Sequence, residues 1–184
     1  MEVNKSGIWS EAGVPGLVLG GVSIAYLAIN SFTSGLAAKG IAAFLVGFLN
    51  FFLWAGKLVL CIWLLRLFLL KFSERRPEAG VRVIFRYGVV IALLSSLLYS
   101  VFYLAYVLYI NPDIITNSFD TALQQYAPMM DQASLEAVEN MKSDMPVATF
   151  IVNLIWCFLF GTVLSSIFAR RIAGGSDNPF IDEQ

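Results

Sequence analysis

The chain has 184 residues, 58% of them hydrophobic and 14% charged, whereas a soluble domain is about half apolar and about a quarter charged; the excess points to lipid. A net charge of −1 gives no case for nucleic acid, and the absence of histidine removes the commonest metal ligand and the commonest general base. Cys61 and Cys157 both fall inside apolar runs, so they read as small buried hydrophobes with no disulfide framework.

In chain order, residues 1–12 form a polar lead with Glu2, Lys5 and Glu11. A first span follows at about 13–33 and reads as retained, since no crisp small-residue cleavage site ends it. Its Gly16-x-x-x-Gly20 pair is a helix-packing motif. Residues 31–40 make a tight connection, so spans one and two are expected to be antiparallel neighbours. The second span, about 42–70, is interrupted by Lys57 and Arg66, and its surplus length implies tilt or a protruding end. Residues 71–83 are a basic loop broken by Pro77 and Gly80. The third span, about 84–110, is the most sharply marked, because an apolar run of about 20 residues suffices to cross a bilayer. Along it Gly88, Ala92, Ser96 and Ser100 recur every four residues and lay a small-residue ribbon on one face. Lipid offers helices no hydrophobic reason to associate, so close packing along such ribbons must supply one. The fourth span, about 147–169, repeats the device with Asn153, Cys157, Gly161, Ser165 and Ala169, and is expected to meet span one or three.

Between spans three and four, residues 111–146 hold Lys142 as their single basic residue against six acidic ones. Lys71, Arg75, Arg76, Arg82, Arg86, Arg170 and Arg171 sit at the opposite span ends. Positive residues near span ends stay cytoplasmic, which puts both termini and the basic loop inside and the acidic segment outside. That segment carries Ile115, Phe119, Leu123 and Tyr126 at helical spacing; Pro128 then breaks it, and Ser134 is the expected N-cap of a second helix bearing Leu135, Val138, Met141 and Met145. The tail 174–184 is polar. The fold class expected is an all-α membrane protein with four transmembrane helices and a short helical extracytoplasmic cap between spans three and four.

The order of these features resembles that of bacterial four-span proteins catalogued as domain of unknown function 4199. The resemblance rests on the basic loop, Phe85-x-x-Gly88 opening span three, Tyr106-x-x-Tyr109-Ile110-Asn111-Pro112-Asp113 closing it, the acidic outer helix ending at Pro146, and the small-residue last span. It covers nearly the whole chain and is best from Lys71 to Asp113; Arg86 and Lys57 depart from the usual form. It implies the fold, the topology and a bacterial inner membrane, and no activity.

Lys57 is the sharpest candidate for function. It falls near mid-bilayer, about 12–15 Å from either face at ~1.5 Å per residue, and an unpaired ammonium there costs at least ~2.5 kcal/mol. The spans as drawn hold no Asp or Glu. Level with Lys57 are Ser23, Ser96, Tyr99, Ser100 and Cys157, with Asn50 seven residues outward on its own face. Either Lys57, Asn50, Ser96, Tyr99 and Ser100 form a polar pocket for an anion, a lipid headgroup or a partner's acidic residue, or the lysine is bundle glue. A Ser–Lys nucleophile would need a neutral lysine within reach of a hydroxyl, and Ser96 and Ser100 already serve the ribbon. Tyr99, Tyr103 and Tyr106 make a stripe that reads as aromatic belt or vestibule lining. The residues expected to pack helices are Gly16, Gly20, Gly88, Ala92, Ser96, Ser100, Gly161 and Ser165. No catalytic residue, metal site or cofactor is expected. The expected role is a non-enzymatic accessory or scaffold subunit in contact with membrane lipid, binding a protein partner at 111–146 or self-associating as a homo-oligomer. The alternative is a small transporter or channel built around Lys57.

Overall fold

The computed structural model describes residues 5–35 and 41–173. The polar tail and most of the expected tight connection between the first two spans lie outside these residues. Four long helices dominate: α1 (Lys5–Gly35), α2 (Ile41–Arg75), α3 (Val81–Ala105, prolonged by a π-helical turn Tyr106–Ile110) and, at the C-terminal end, Met145–Ala173. Four stretches are long and apolar enough to cross a membrane: Gly7–Thr33, Phe44–Arg75, Val81–Ile110 and Met141–Ala173, the last beginning one 3-10 turn before its helix. Among the described residues there is no strand, and the chain is an all-α, multi-pass membrane protein.

The first helix starts earlier than its apolar run. Lys5 to Ala12 are helical, and Ile8 and Ala12 are buried in the core. Pro15 sits inside α1. A proline has no N–H, so the carbonyl four residues before it, that of Glu11, loses its helical donor. In lipid such an orphan needs a partner from a neighbouring helix, and the Tyr87 hydroxyl of α3 donates to the Glu11 carbonyl oxygen at 3.3 Å. The Tyr87 ring stacks on Phe72 of α2 at 4.0 Å between centroids. Arg76 lies over Phe72 and pairs with the Glu11 carboxylate. Three helices are thus tied together around one proline.

Helix α2 continues through Arg75, so Lys71 to Arg75 belong to the helix and the connection to α3 shrinks to residues 76–80. At the far end of α3, Asn111 leaves the helix at φ −142°, ψ 72°, because the ring of Pro112 crowds the helical conformation of the residue before it. The π-helical turn closes there with the Asn111 N–H on the Tyr106 carbonyl at 2.9 Å.

The segment between the third and fourth spans contains α4 (Asp113–Tyr126), a 3-10 turn at Ala127–Met129, α5 (Gln132–Asn140) and a second 3-10 turn at Met141–Asp144, after which the last span, α6, begins at Met145. Three details differ from expectation, the first being that Met141 falls in the second 3-10 turn, past the end of α5. Ser134 is not the N-cap of α5. Asp131 precedes the helix, and its Oδ1 accepts the Ser134 N–H at 3.1 Å, the usual reach from an N-cap to the third helical residue. Hydrogen bonds from Ser134 hold the Asp131 carboxyl below the ordinary aspartate range. Met145 does not belong to the cap helix either; it opens α6, with Pro146 in the first turn, where its missing N–H costs no helical bond. Phe119 and Leu123 are half-buried and Tyr126 is exposed. Lys142 pairs with Asp120 at 2.7 Å and joins the two parts of the segment; partly exposed, such a pair is worth ~0–1 kcal/mol.

The bundle is built on α3, whose most extensive contacts are with α6 and α1. The reason is steric. A Cβ on Gly16 would stand 2.7 Å from Leu94 Cβ, and one on Gly20 would stand 2.7 Å from Leu98 Cδ2. On the α6 side, a Cβ on Gly88 would meet Ser165 at 2.5–2.6 Å, and one on Gly161 would meet Ala92 Cβ at 2.6 Å. Only glycine lets these backbones come so close. Ser96, Ser100, Ser165 and Ala169 are buried with Ala92. Helix α2 joins this core through its second half, where Leu65, Leu69 and Phe72 pack with Ile84, Tyr87, Ile91 and Ala169.

Candidate functional site

Halfway along α2 the four spans surround a cavity of about 460 Å³, within the ~300–1,000 Å³ of ordinary ligand sites. Lys57 lines it, 13 residues after Phe44 and 18 before Arg75 in the span Phe44–Arg75 (57 − 44 and 75 − 57). Leu19 and Ser23 of α1 and Ala92, Ser95 and Tyr99 of α3 form the back wall. The front is made by α2, with Trp54 and Cys61, and by α6, with Asn153, Trp156, Cys157 and Phe160. Helix α2 is tied to the rest of the bundle on either side of the cavity. Thr33 Oγ1 of α1 donates to Asn50 Oδ1 at 2.7 Å near the start of α2, and the Leu65–Leu69–Phe72 face anchors its second half.

Two tyrosines hold Lys57. Its Nζ lies 5.2 Å from the Tyr26 ring centroid and 5.1 Å from that of Tyr99. A cation over an aromatic face gains about 0.5–2 kcal/mol, more when water is kept away, so two faces offset most of the ~2.5–3.5 kcal/mol that a mid-bilayer lysine costs on insertion scales. They do not neutralise its charge. Glu11, Glu74 and Asp144 do lie in spans, contrary to expectation, because the spans reach past the apolar runs at their ends. The Glu11 carboxylate is engaged by Arg76, and the other ion pair among the described residues is Lys142 with Asp120.

Of the residues expected around Lys57, the structure brings Tyr99, Ser23 and Cys157 to the cavity and leaves three elsewhere. Asn50 is bonded to Thr33. Ser96 donates to its own helix at the Leu93 carbonyl, 3.0 Å away. Ser100 is fully buried, and its hydroxyl has no hydrogen-bond partner among the described residues. Counting residues matches depth but not direction around the helix axis. Tyr26, Cys61, Ser95, Asn153, Trp54 and Trp156 were missed. A helical-face argument reaches four of them: Tyr26 follows Ser23 by three, Cys61 follows Lys57 by four, Ser95 precedes Tyr99 by four, and Asn153 precedes Cys157 by four.

The tyrosine stripe divides. Tyr99 faces Lys57, whereas Tyr106 shares a 2.8 Å hydrogen bond with Ser31 and accepts one from Asn111 at 3.4 Å, tying the exit of α3 to the end of α1. Tyr103 bridges them, with centroids 6.1 Å and 6.4 Å away. For nucleophilic chemistry, neither Ser96 nor Ser100 lines the cavity; Ser23 and Ser95 do, and the Ser23 hydroxyl is turned to the Leu19 carbonyl at 3.3 Å. Among the described residues no group of three or more Cys, Asp or Glu is placed to hold a metal ion. What the arrangement offers is a caged cation with N–H donors, set in a mostly apolar chamber.

A family model described as "Protein of unknown function (DUF4199)" matches residues 15–170. No curated protein and no solved structure matches the chain.

Proposed function

The chain belongs to the DUF4199 family, and from that premise we propose that it is a non-enzymatic component of the bacterial inner membrane that works by binding, with the Lys57 cavity as its binding element. The carrying observation is a mid-span ammonium that meets two tyrosine faces and no carboxylate among the described residues. An ionisable group inside a membrane bundle is a site by default, since its cost must be offset by something. A negative group in the cavity would gain from a low local dielectric and from a lysine already held in place.

The proposed orientation follows from charge. Arg75, Arg76, Arg82, Arg86, Arg170 and Arg171 mark one set of span ends as cytoplasmic, with both termini, and residues 111–146 then face outward. There the exposed Tyr126, Met129 and Met141 provide an apolar surface for an extracytoplasmic protein or a second copy of the chain.

The test is purification of the wild type and of Lys57→Met in native lipid discs, followed by mass spectrometry of everything retained. A bound lipid, ligand or protein present at fixed stoichiometry in the wild type and lost from an equally abundant variant supports the reading. Identical contents in both would overturn it. The cavity's place at mid-span favours a second reading, a small transporter or channel, which requires Lys57-dependent solute flux in liposomes.

A further inference from the structure

We propose that the Lys57 cavity is a side-entry site for an anionic amphiphile: a carboxylate or phosphate headgroup pairs with the Lys57 ammonium, and its hydrocarbon tail leaves between α2 and α6 into the bilayer. The inference rests on the binding role assigned to this cavity and names its occupant. Three observations carry it. The walls differ in access. On the α1 and α3 side, Leu19, Ser23 and Ala92 are buried, while Trp54 of α2 and Trp156 and Phe160 of α6 are 49%, 72% and 43% exposed. The cavity therefore opens between α2 and α6, at a depth where the surroundings are hydrocarbon, and whatever enters there must carry an apolar part.

The chamber also combines two chemistries. Lys57, Ser23, Ser95 and Tyr99 bring charge and hydroxyls, and the exposed Trp54, Trp156 and Phe160 bring indole and phenyl rings. A headgroup with a tail combines the same two, whereas a free ion would leave the rings unused. The size agrees as well. About 460 Å³ exceeds what one small ion fills and suits a headgroup with the first part of a chain. The α2–α6 side can admit it, since α2 is anchored by Asn50 on α1 and by the Leu65–Phe72 face on the core, on either side of the cavity.

The experiment uses the full chain in discs of zwitterionic lipid, titrated with pyrene-dodecanoic acid or its methyl ester, with energy transfer from the tryptophans as readout and protein-free discs subtracted. The acid is expected to bind about tenfold or more tighter than the ester. Lys57→Met should abolish that preference while ester binding survives, and Lys57→Arg should keep most of it. If Lys57→Met does not fold, Lys57→Gln serves for the same comparison, with retained ester binding as the sign of an intact cavity. Equal binding of acid and ester, or a preference that survives loss of the lysine, overturns the proposal. Displacement of the acid by millimolar inorganic phosphate also overturns it and makes the cavity a free-anion site, leaving the binding role in place. A Lys57-dependent protein companion in native discs, without acid preference, overturns it in favour of an acidic residue on a partner helix. With neither acid preference nor any Lys57-dependent companion, both the occupant and the binding role fall.

Discussion

Helix α6 meets two neighbours with two stretches of one ribbon. Toward its C-terminal end, Gly161 and Ser165 close against Ala92 and Gly88 of α3, so tightly that no Cβ could be added at either glycine. One and two turns earlier, Cys157 and Asn153 continue the same four-residue step, yet they line a cavity, with Trp156 beside them and Lys57 and Trp54 across from them on α2. Where both faces are small, backbones touch. Where one face carries rings and a long cation, they cannot. In lipid, shape decides which contacts close, because apolar surface gains nothing by leaving an apolar solvent.

The comparison breaks most readily at the closed seam. Gly161→Val and Gly88→Val force atoms into space held by Ala92 and Ser165, and each should cost about 1–3 kcal/mol or more in reversible unfolding from mixed detergent micelles. Gly21→Val, where nothing lies within 4 Å, should change little. Similar losses at Gly161 and Gly21 would show that the seam does not organise the bundle.

At the open side, Tyr26→Leu and Tyr99→Leu should each cost about 0.5–2 kcal/mol through the lost cation–π contact. Both penalties should shrink in a Lys57→Met background, since a double-mutant cycle isolates the pair. An undiminished penalty there would mean that the rings act by packing alone. Next in size is Tyr87→Phe, expected to cost about 1 kcal/mol by stranding the Glu11 carbonyl. Pro15→Ala restores that carbonyl's helical donor and should erase the difference between Tyr87 and Phe at this site; a persistent difference would show that the Tyr87 hydroxyl does not act through the Glu11 carbonyl.

The smallest effect lies far from both regions. Because the folded Asp131 carboxyl is held below its ordinary value of about 3.9, its capping of α5 is complete above that value and is lost as pH falls through the lower folded one. Amide exchange in α5 should rise at acid pH relative to the other helices, and Asp131→Asn should flatten that dependence. An unchanged pH profile in the variant would remove Asp131 from the account.

Lys57 was legible as a misplaced charge, and Tyr99, Ser23 and Cys157 as groups at its depth. Ser96 and Ser100 share that logic and point elsewhere, because depth constrains one coordinate and rotation about each helix axis is set by packing; Asn50, expected on the same face as Lys57 but seven residues outward, is bonded to Thr33 instead. Tyr26 escaped notice for the complementary reason: it is an ordinary interfacial residue type until α1 turns it toward α2. Pro15 and Tyr87, separated by 72 residues (87 − 15), become partners only once α1 and α3 are side by side.

From its sequence alone, this protein had to be a four-span helical membrane chain. A hydrocarbon layer about 30 Å thick demands long apolar runs and tolerates no unpaired backbone, so composition and length settle the number of spans. Which faces met, and that a lysine would lie between rings from two other helices beside a cavity, only the tertiary structure decided. Helices already dissolved in lipid choose neighbours by the fit of their surfaces, and that fit is a property of all four at once.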